Sequence, residues 1–381
     1  MSSVTFVGIL SELMPSGVLP QLAAGLGVAD TRIGFLVGVY ALASAVFAIP
    51  VVSATLAVNR KTLLIVLLVG FAVSNIVFAL SPSYSLMVAC RILGGVCAGV
   101  MWPMIAAYGT RLVPDNMQGR AITIIMAGNT LGISIGMPVM TTIGVSFGWR
   151  AEFMVLGLVI AAIAALSHFV LPAVAGEKLS KSNSPLAVLR NRGILIVLLL
   201  TFLTVMAHYS IYTYITLLVE KIRFPGGIGM ALLFFGVGSI ISVFGSAKYV
   251  DAHLRGLIES MLVTGAVAMA LFLVFAGTPG VSHVAFFLWG IAFGPLVSMY
   301  QAAVSKLVDE AKDVATSVQS SVFNFSIMIA TWIGGLLLTQ LPESGVKGIV
   351  VLSLACFVAA IVVAFVVSRT MRASSPAVVK S

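Results

Sequence analysis

Apolar runs of about 18 to 26 residues, each closed by a short polar loop, repeat from one end of the chain to the other. Each is long enough for an α-helix to cross the hydrocarbon core of a bilayer, which takes about 20 apolar residues. The runs fall at 4–26, 32–56, 62–81, 84–109, 120–145, 152–173, 193–219, 227–247, 256–276, 282–304, 316–340 and 347–368, which predicts an all-α membrane protein of twelve transmembrane helices. The longest polar stretch, AVAGEKLSKSNSPLAVLRNRG at 173–193, follows the sixth run and reads as a linker. The expected organisation is a six-helix bundle over 1–173, a linker at 174–192, a second six-helix bundle over 193–370 and a tail at 371–381.

Composition agrees with that pattern. The chain is 60% hydrophobic and only 9% charged, where a soluble domain carries about 25% charged residues. The net charge of +9 matters through its distribution. Of 21 Lys and Arg, fifteen fall in loops on the side of the two termini, five on the other side, and Arg91 inside a span. Positive charge marks the cytoplasmic face, so both termini and the linker are expected in the cytoplasm.

The two halves repeat. Sliding the second over the first by 195 residues aligns Gly95 with Gly290, Gly99 with Gly294, Ala107 with Ala302, Arg60 with Arg255 and Asn129 with Asn324. The same shift brings Glu12 beside His208. Parallel repeats of this kind build the major-facilitator fold, two bundles related by a pseudo-two-fold axis with a substrate site near mid-membrane between them.

Few residues could carry chemistry. Glu12 lies eight residues past Val4, roughly 12 Å along a helix and deeper than a headgroup layer. An ionised acid there costs several kcal/mol, so it is expected to face a cavity and exchange a proton. His208 sits near the middle of the seventh span, either as a neutral imidazole donating to a carbonyl or as a second proton acceptor. Arg91, near the start of the fourth span, either snorkels to the surface or turns inward to tune a neighbouring acid. Gly95 and Gly99 in the fourth span, and Gly128, Gly132 and Gly136 followed by Pro138 in the fifth, mark close helix contacts. A kinkable fifth helix of that kind would suit a seal between the halves. Cys90, Cys97 and Cys356 have no His or acidic neighbours and read as packing residues. No phosphate-binding loop and no metal motif is present, so neither cofactor nor metal is expected.

The whole chain, 1 to about 370, resembles the twelve-helix drug:proton antiporter branch of the major facilitator superfamily. The likeness is greatest to bacterial sugar-efflux, purine-nucleoside-efflux and chloramphenicol-resistance transporters. It rests on SELMPSGVLPQLAAGLGV, NRKTLLIVLLVGFAVSN, RILGGVCAGVMWP, GWRAEF and AHYSIYTYI. The family's fourth-helix motif is matched by Arg91, Gly95 and Gly99. Its fifth-helix antiporter motif is matched in part by Gly132, Gly136 and Pro138, with Met137 inserted and the closing glycine pair absent. The loop after the second helix keeps Arg60 and Lys61 but lacks the family's aspartate, and KYVDAHLR, with Asp251 and Arg255, looks like the better copy.

The resemblance implies a monomeric transporter of the bacterial cytoplasmic (inner) membrane, not an enzyme and with no nucleic-acid partner. It would export a small organic solute, such as a sugar, nucleoside or amphiphilic drug, in exchange for protons. Glu12, His208 and Arg91 would handle the proton, and Trp102, Asn129, Tyr212 and Asn324 would shape the pocket. An importing symporter or facilitator on the same scaffold is the alternative.

Overall fold

A computed structural model describes residues 1–55, 57–114, 118–176, 189–247, 249–278, 280–307 and 312–373; most of the linker and the end of the tail lie outside them. The helices are α1 (Ser2–Gly17), α2 (Leu19–Leu26), α3 (Asp30–Thr55), α4 (Arg60–Leu80), α5 (Tyr84–Thr110), α6 (Gln118–Leu131), α7 (Met137–Phe147) and α8 (Trp149–Val170). The second half contains α9 (Arg192–Tyr212), α10 (Ile215–Lys221), α11 (Gly227–Ala247), α12 (Val250–Val274), α13 (Val281–Phe293), α14 (Leu296–Lys306), α15 (Lys312–Gln340) and α16 (Gly345–Ala373). Among these residues eleven helices are long and apolar enough to cross a bilayer, and the bent pair α1–α2 makes twelve. Their outer faces are apolar: Phe169 is 82% and Phe147 78% exposed, which is tolerable only where lipid is the solvent.

Several spans expected as single helices are interrupted. The first bends by 65° between α1 and α2. Pro15 lies inside α1 and cannot donate to the Ser11 carbonyl, and Pro20 opens the next helix. The seventh breaks at Thr213–Tyr214, the tenth at Gly294–Pro295, and the fifth carries a π-helical turn at Gly132–Gly136 immediately before Met137 and Pro138. Apolar periodicity is blind to such interruptions, because hydrophobicity continues through them.

The duplication seen in the sequence is also a duplication of packing. Gly95 lies against the Tyr40 carbonyl and Gly99 against the backbone of Ser44, while Gly290 lies against the Phe235 carbonyl and Gly294 against Ser239. All four partners obey the 195-residue shift, so the contact between α5 and α3 recurs between α13 and α11. In each case a missing Cβ lets the two backbones touch.

The halves meet mainly toward the end opposite the termini. There α3 packs on α15, the fifth span on α11, and α1–α2 on α10. Tyr214 donates to the Thr331 carbonyl at 2.9 Å, and its ring fits against Gly34 of the first half and Gly334 of the second. Gly38 lies against Thr331, and Gly236 against the backbone of Ser134.

The helix-5 glycines themselves pack inside the first half. Gly128 faces Ser2 and Thr5, Gly132 faces Phe6 and Ile9, and Gly136 faces Leu10. The ladder therefore clamps the fifth span to α1 within one half, and Ser134 in the π turn reaches across to the other half.

Candidate functional site

The geometry starts from Pro15. Because its ring nitrogen carries no hydrogen, the Ser11 carbonyl lacks its helical partner, and a side chain from another span satisfies it. Arg91 Nη1 donates to Ser11 O at 2.5 Å, Nη2 to Glu12 O at 2.8 Å and Nε to Leu36 O at 3.1 Å. Its guanidinium also lies 4.1 Å from the centre of the Tyr40 ring. Arg91 is only 2% exposed, so it does not snorkel. It holds the backbone beside the acid, and no ion pair joins it to the Glu12 carboxylate among the described residues. Asn75 completes this knot by donating to Ser11 Oγ at 3.0 Å and to Phe71 O at 2.8 Å.

With α1 fixed, Glu12 points away from lipid toward the second half. It is 5% exposed, and its Oε1 accepts from the Tyr209 hydroxyl at 3.3 Å. Tyr209 belongs to α9, so this hydrogen bond crosses from one bundle to the other. Its ring stands edge-on to His208, with centroids 4.9 Å apart. Glu12 and His208 are thus joined through one tyrosine. From AHYSIYTY the helical spacing singles out Tyr212, one turn past His208, and passes over Tyr209, which makes this bond.

Among the described residues His208 makes no hydrogen bond to a carbonyl, where one reading expected it. It stacks on Phe293 with rings 5° from parallel, and Tyr212, Phe235 and Trp289 close around it. Its Nδ1, Tyr212 Oη and Trp289 Nε1 have no partner among the described residues. Tyr212 is therefore enclosed in an aromatic box within the second bundle, where it was expected to line an open pocket.

Trp102 and Asn129 are half-buried, and Trp102 lies beside Gly8, one turn before Glu12. Asn324 is 7% exposed, and its amide donates to Ser320 O within its own helix at 2.9 Å. Arg255 pairs with Glu259 at 2.8 Å on the surface. The side chain of Asp251 is outside what the structure describes.

A buried acid tied across the interface of two pseudo-symmetric membrane-spanning bundles defines the class: a polytopic membrane transporter. The model of the Major Facilitator Superfamily matches residues 1–331, and the chain belongs to that family. It is 30% identical over 348 residues to a chloramphenicol efflux pump of Mycobacterium tuberculosis, covering 88% of this chain and 84% of that one. It is 29% identical over 348 residues to a protein of Mannheimia succiniciproducens named "Probable sugar efflux transporter", covering 90% and 86%.

Solved structures share the fold. A bacterial homolog of the human lysosomal transporter Spinster, inward-facing and unoccupied, superposes with a TM-score of 0.75 at 15% identity, covering 99% of this chain and 98% of that one. The human organic anion transporter MFSD10 gives 0.71 at 16% identity, covering 95% and 98%.

Proposed function

We propose that this transporter exports a small organic solute from the bacterial cytoplasm in exchange for protons, with Glu12 as the proton carrier. The observation that carries the reading is the hydrogen bond from Tyr209 to Glu12. An ionised carboxylate accepts a stronger hydrogen bond than a protonated one. Loading Glu12 with a proton therefore weakens a tie between the bundles, and the rocking of the bundles in turn changes the hold on the proton.

In this reading the bundles are 1–173 and 193–370, linked by 174–192, and 371–381 is a tail. Both termini face the cytoplasm, as the Lys and Arg distribution favours, and the chain works as a monomer. The structure is then closed to the outside and represents the state that loads solute. Arg91 holds the Ser11 carbonyl that Pro15 leaves free, so α1 carries a proline close to Glu12 without an unsatisfied buried carbonyl. Export as the direction, and a sugar, nucleoside or amphiphilic antibiotic as the cargo, are supported by the names of the relatives and by the scarcity of charge around the site. Trp102 and Asn129 offer the mixed apolar and polar surface that such cargo requires.

The test is transport in inverted membrane vesicles holding an imposed pH gradient. Antiport predicts that adding the right solute dissipates the gradient. Proton-independent accumulation, or co-directional movement of solute and proton, would overturn the reading in favour of a facilitator or symporter.

A further inference from the structure

Glu152 has no part in that scheme, yet it is more deeply buried than Glu12, with 0% exposure. Gly148, at φ 90°, turns α7 into α8 through a conformation that favours glycine. Trp149 then anchors the first turn of α8 against Phe78, with ring centroids 6.2 Å apart, and Arg150 covers its outer face at 4.1 Å. The carboxyl of Glu152 is carried inward against Gly144 of α7. A Cβ on Gly144 would meet both Glu152 Oε2 and, at 2.5 Å, Val18 Cγ1. Val18 is the hinge residue between α1 and α2. One turn earlier on α7, Thr141 Oγ1 lies against Gly17 in the same way.

Neither Glu152 oxygen has a hydrogen-bond partner among the described residues, and nor do Thr141 Oγ1 and Ser16 Oγ. No cation lies within 4 Å of the carboxyl among those residues. The elements packed on α8 offer little charge: α1 brings Glu12, α7 brings no ionisable group, and α4 carries Arg60 and Lys61 at its opposite end. On α8 itself, Arg150 is occupied by Trp149 and His168 lies in the last turn.

A buried carboxylate with neither donor nor counter-ion is too costly to persist; such a group neutralises itself or acquires a partner. A metal ion would need several converging oxygens and room beside Oε2, but Gly144 and Val18 fill that place. A proton needs no such room.

We propose that Glu152 is a second proton-binding site, loaded in this conformation and controlled by the hinge of the first span. When the hinge and its end of the bundle are closed, one carboxyl oxygen carries the proton as an O–H bond. When that end opens and water reaches the hinge, the O–H bond breaks, the electron pair stays on the carboxylate and the proton passes to water. The site does not depend on Glu12 being the carrier.

Infrared spectroscopy of the full chain reconstituted in lipid tests this through the C=O stretch of protonated carboxyl groups near neutral pH. The proposal expects a protonated-carboxyl band that shifts in D2O, is lost in both Glu152→Gln and Glu152→Leu, and persists in Glu12→Gln. A band unchanged by both Glu152 substitutions would overturn it. So would thermal stabilisation by Na⁺ that wild type shows and Glu152→Gln loses, since that would make the ligand a metal ion. Normal coupling in Glu12→Gln would sink the carrier role of Glu12 and leave this site standing.

Discussion

Glu12 and His208 hold the same station in the two halves: each lies six residues before the residue at which its span breaks. That residue is Val18 in the first half, at φ −126° and ψ 28°, and Tyr214 in the second, at φ −112° and ψ 25°. The acid and the histidine are thus placed by a repeated backbone event, and the repeat slips by one residue here, to a shift of 196. The causes of the two breaks differ. Pro15 removes a donor in the first half. In the second, Tyr214 places its ring among glycines and its hydroxyl on Thr331.

The seal formed by α3 and α15 invites a cross-link. A Cβ at position 38 would lie 3.7 Å from the Cβ of Thr331, within the roughly 3.5–4.5 Å that disulfides use. The double variant Gly38→Cys/Thr331→Cys, with Cys90, Cys97 and Cys356 replaced, should oxidise readily and stop transport. Dithiothreitol should restore it. Undiminished transport by the oxidised protein would mean that this end need not open.

Removing the guanidinium strands the buried Ser11 carbonyl, which Pro15 leaves without a helical partner, and takes away the added bonds to the Glu12 and Leu36 carbonyls. Each buried group left unsatisfied costs about 1–3 kcal/mol, so Arg91→Ala should lower the midpoint of thermal unfolding clearly. Arg91→Lys keeps the charge but not the fork and should fall between the two. An Arg91→Lys protein as stable as wild type would show that charge alone suffices.

At the helix crossings the expected cost is overpacking. Gly95→Ala and Gly290→Ala each push a methyl into a backbone carbonyl and should destabilise by about 1–3 kcal/mol. Gly245→Ala meets nothing within 4 Å and should be neutral or gain up to about 1 kcal/mol from helix propensity. Thermal denaturation of the three variants in one detergent separates packing from propensity.

Tyr209→Phe removes only the hydroxyl that spans the bundles. One hydrogen bond is worth about 0.5–1.5 kcal/mol, so folding should survive while gradient-driven transport falls by roughly two- to tenfold. Equal transport by Tyr209→Phe and wild type would remove that bond from the coupling path.

Much of this was legible in the sequence, and the rest was hidden for physical reasons. Hydrophobic length located the spans, and the 195-residue shift located the glycine contacts before their partners, Tyr40 with Phe235 and Ser44 with Ser239, were visible. Glu12 announced itself because a lone acid in an apolar run is costly. Arg91 was visible as an anomaly, but its bonds to main-chain carbonyls were not, since no residue type advertises a free carbonyl. Tyr209 and Tyr212 differ by three positions in one helix; packing sends the first toward the other bundle and the second into an aromatic box. Glu152 lay within GWRAEF, where family likeness drew attention to the motif and away from the acid it contains.

The decisive measurement is solute-driven collapse of a pH gradient by Glu12→Gln beside wild type, at matched amounts in the membrane. The glutamine keeps the shape and can still accept from Tyr209, but it cannot carry a proton. Wild type should dissipate the gradient and the variant should not, although it inserts and folds. Equal dissipation by the two would show that protons cross by a route that does not use this carboxyl.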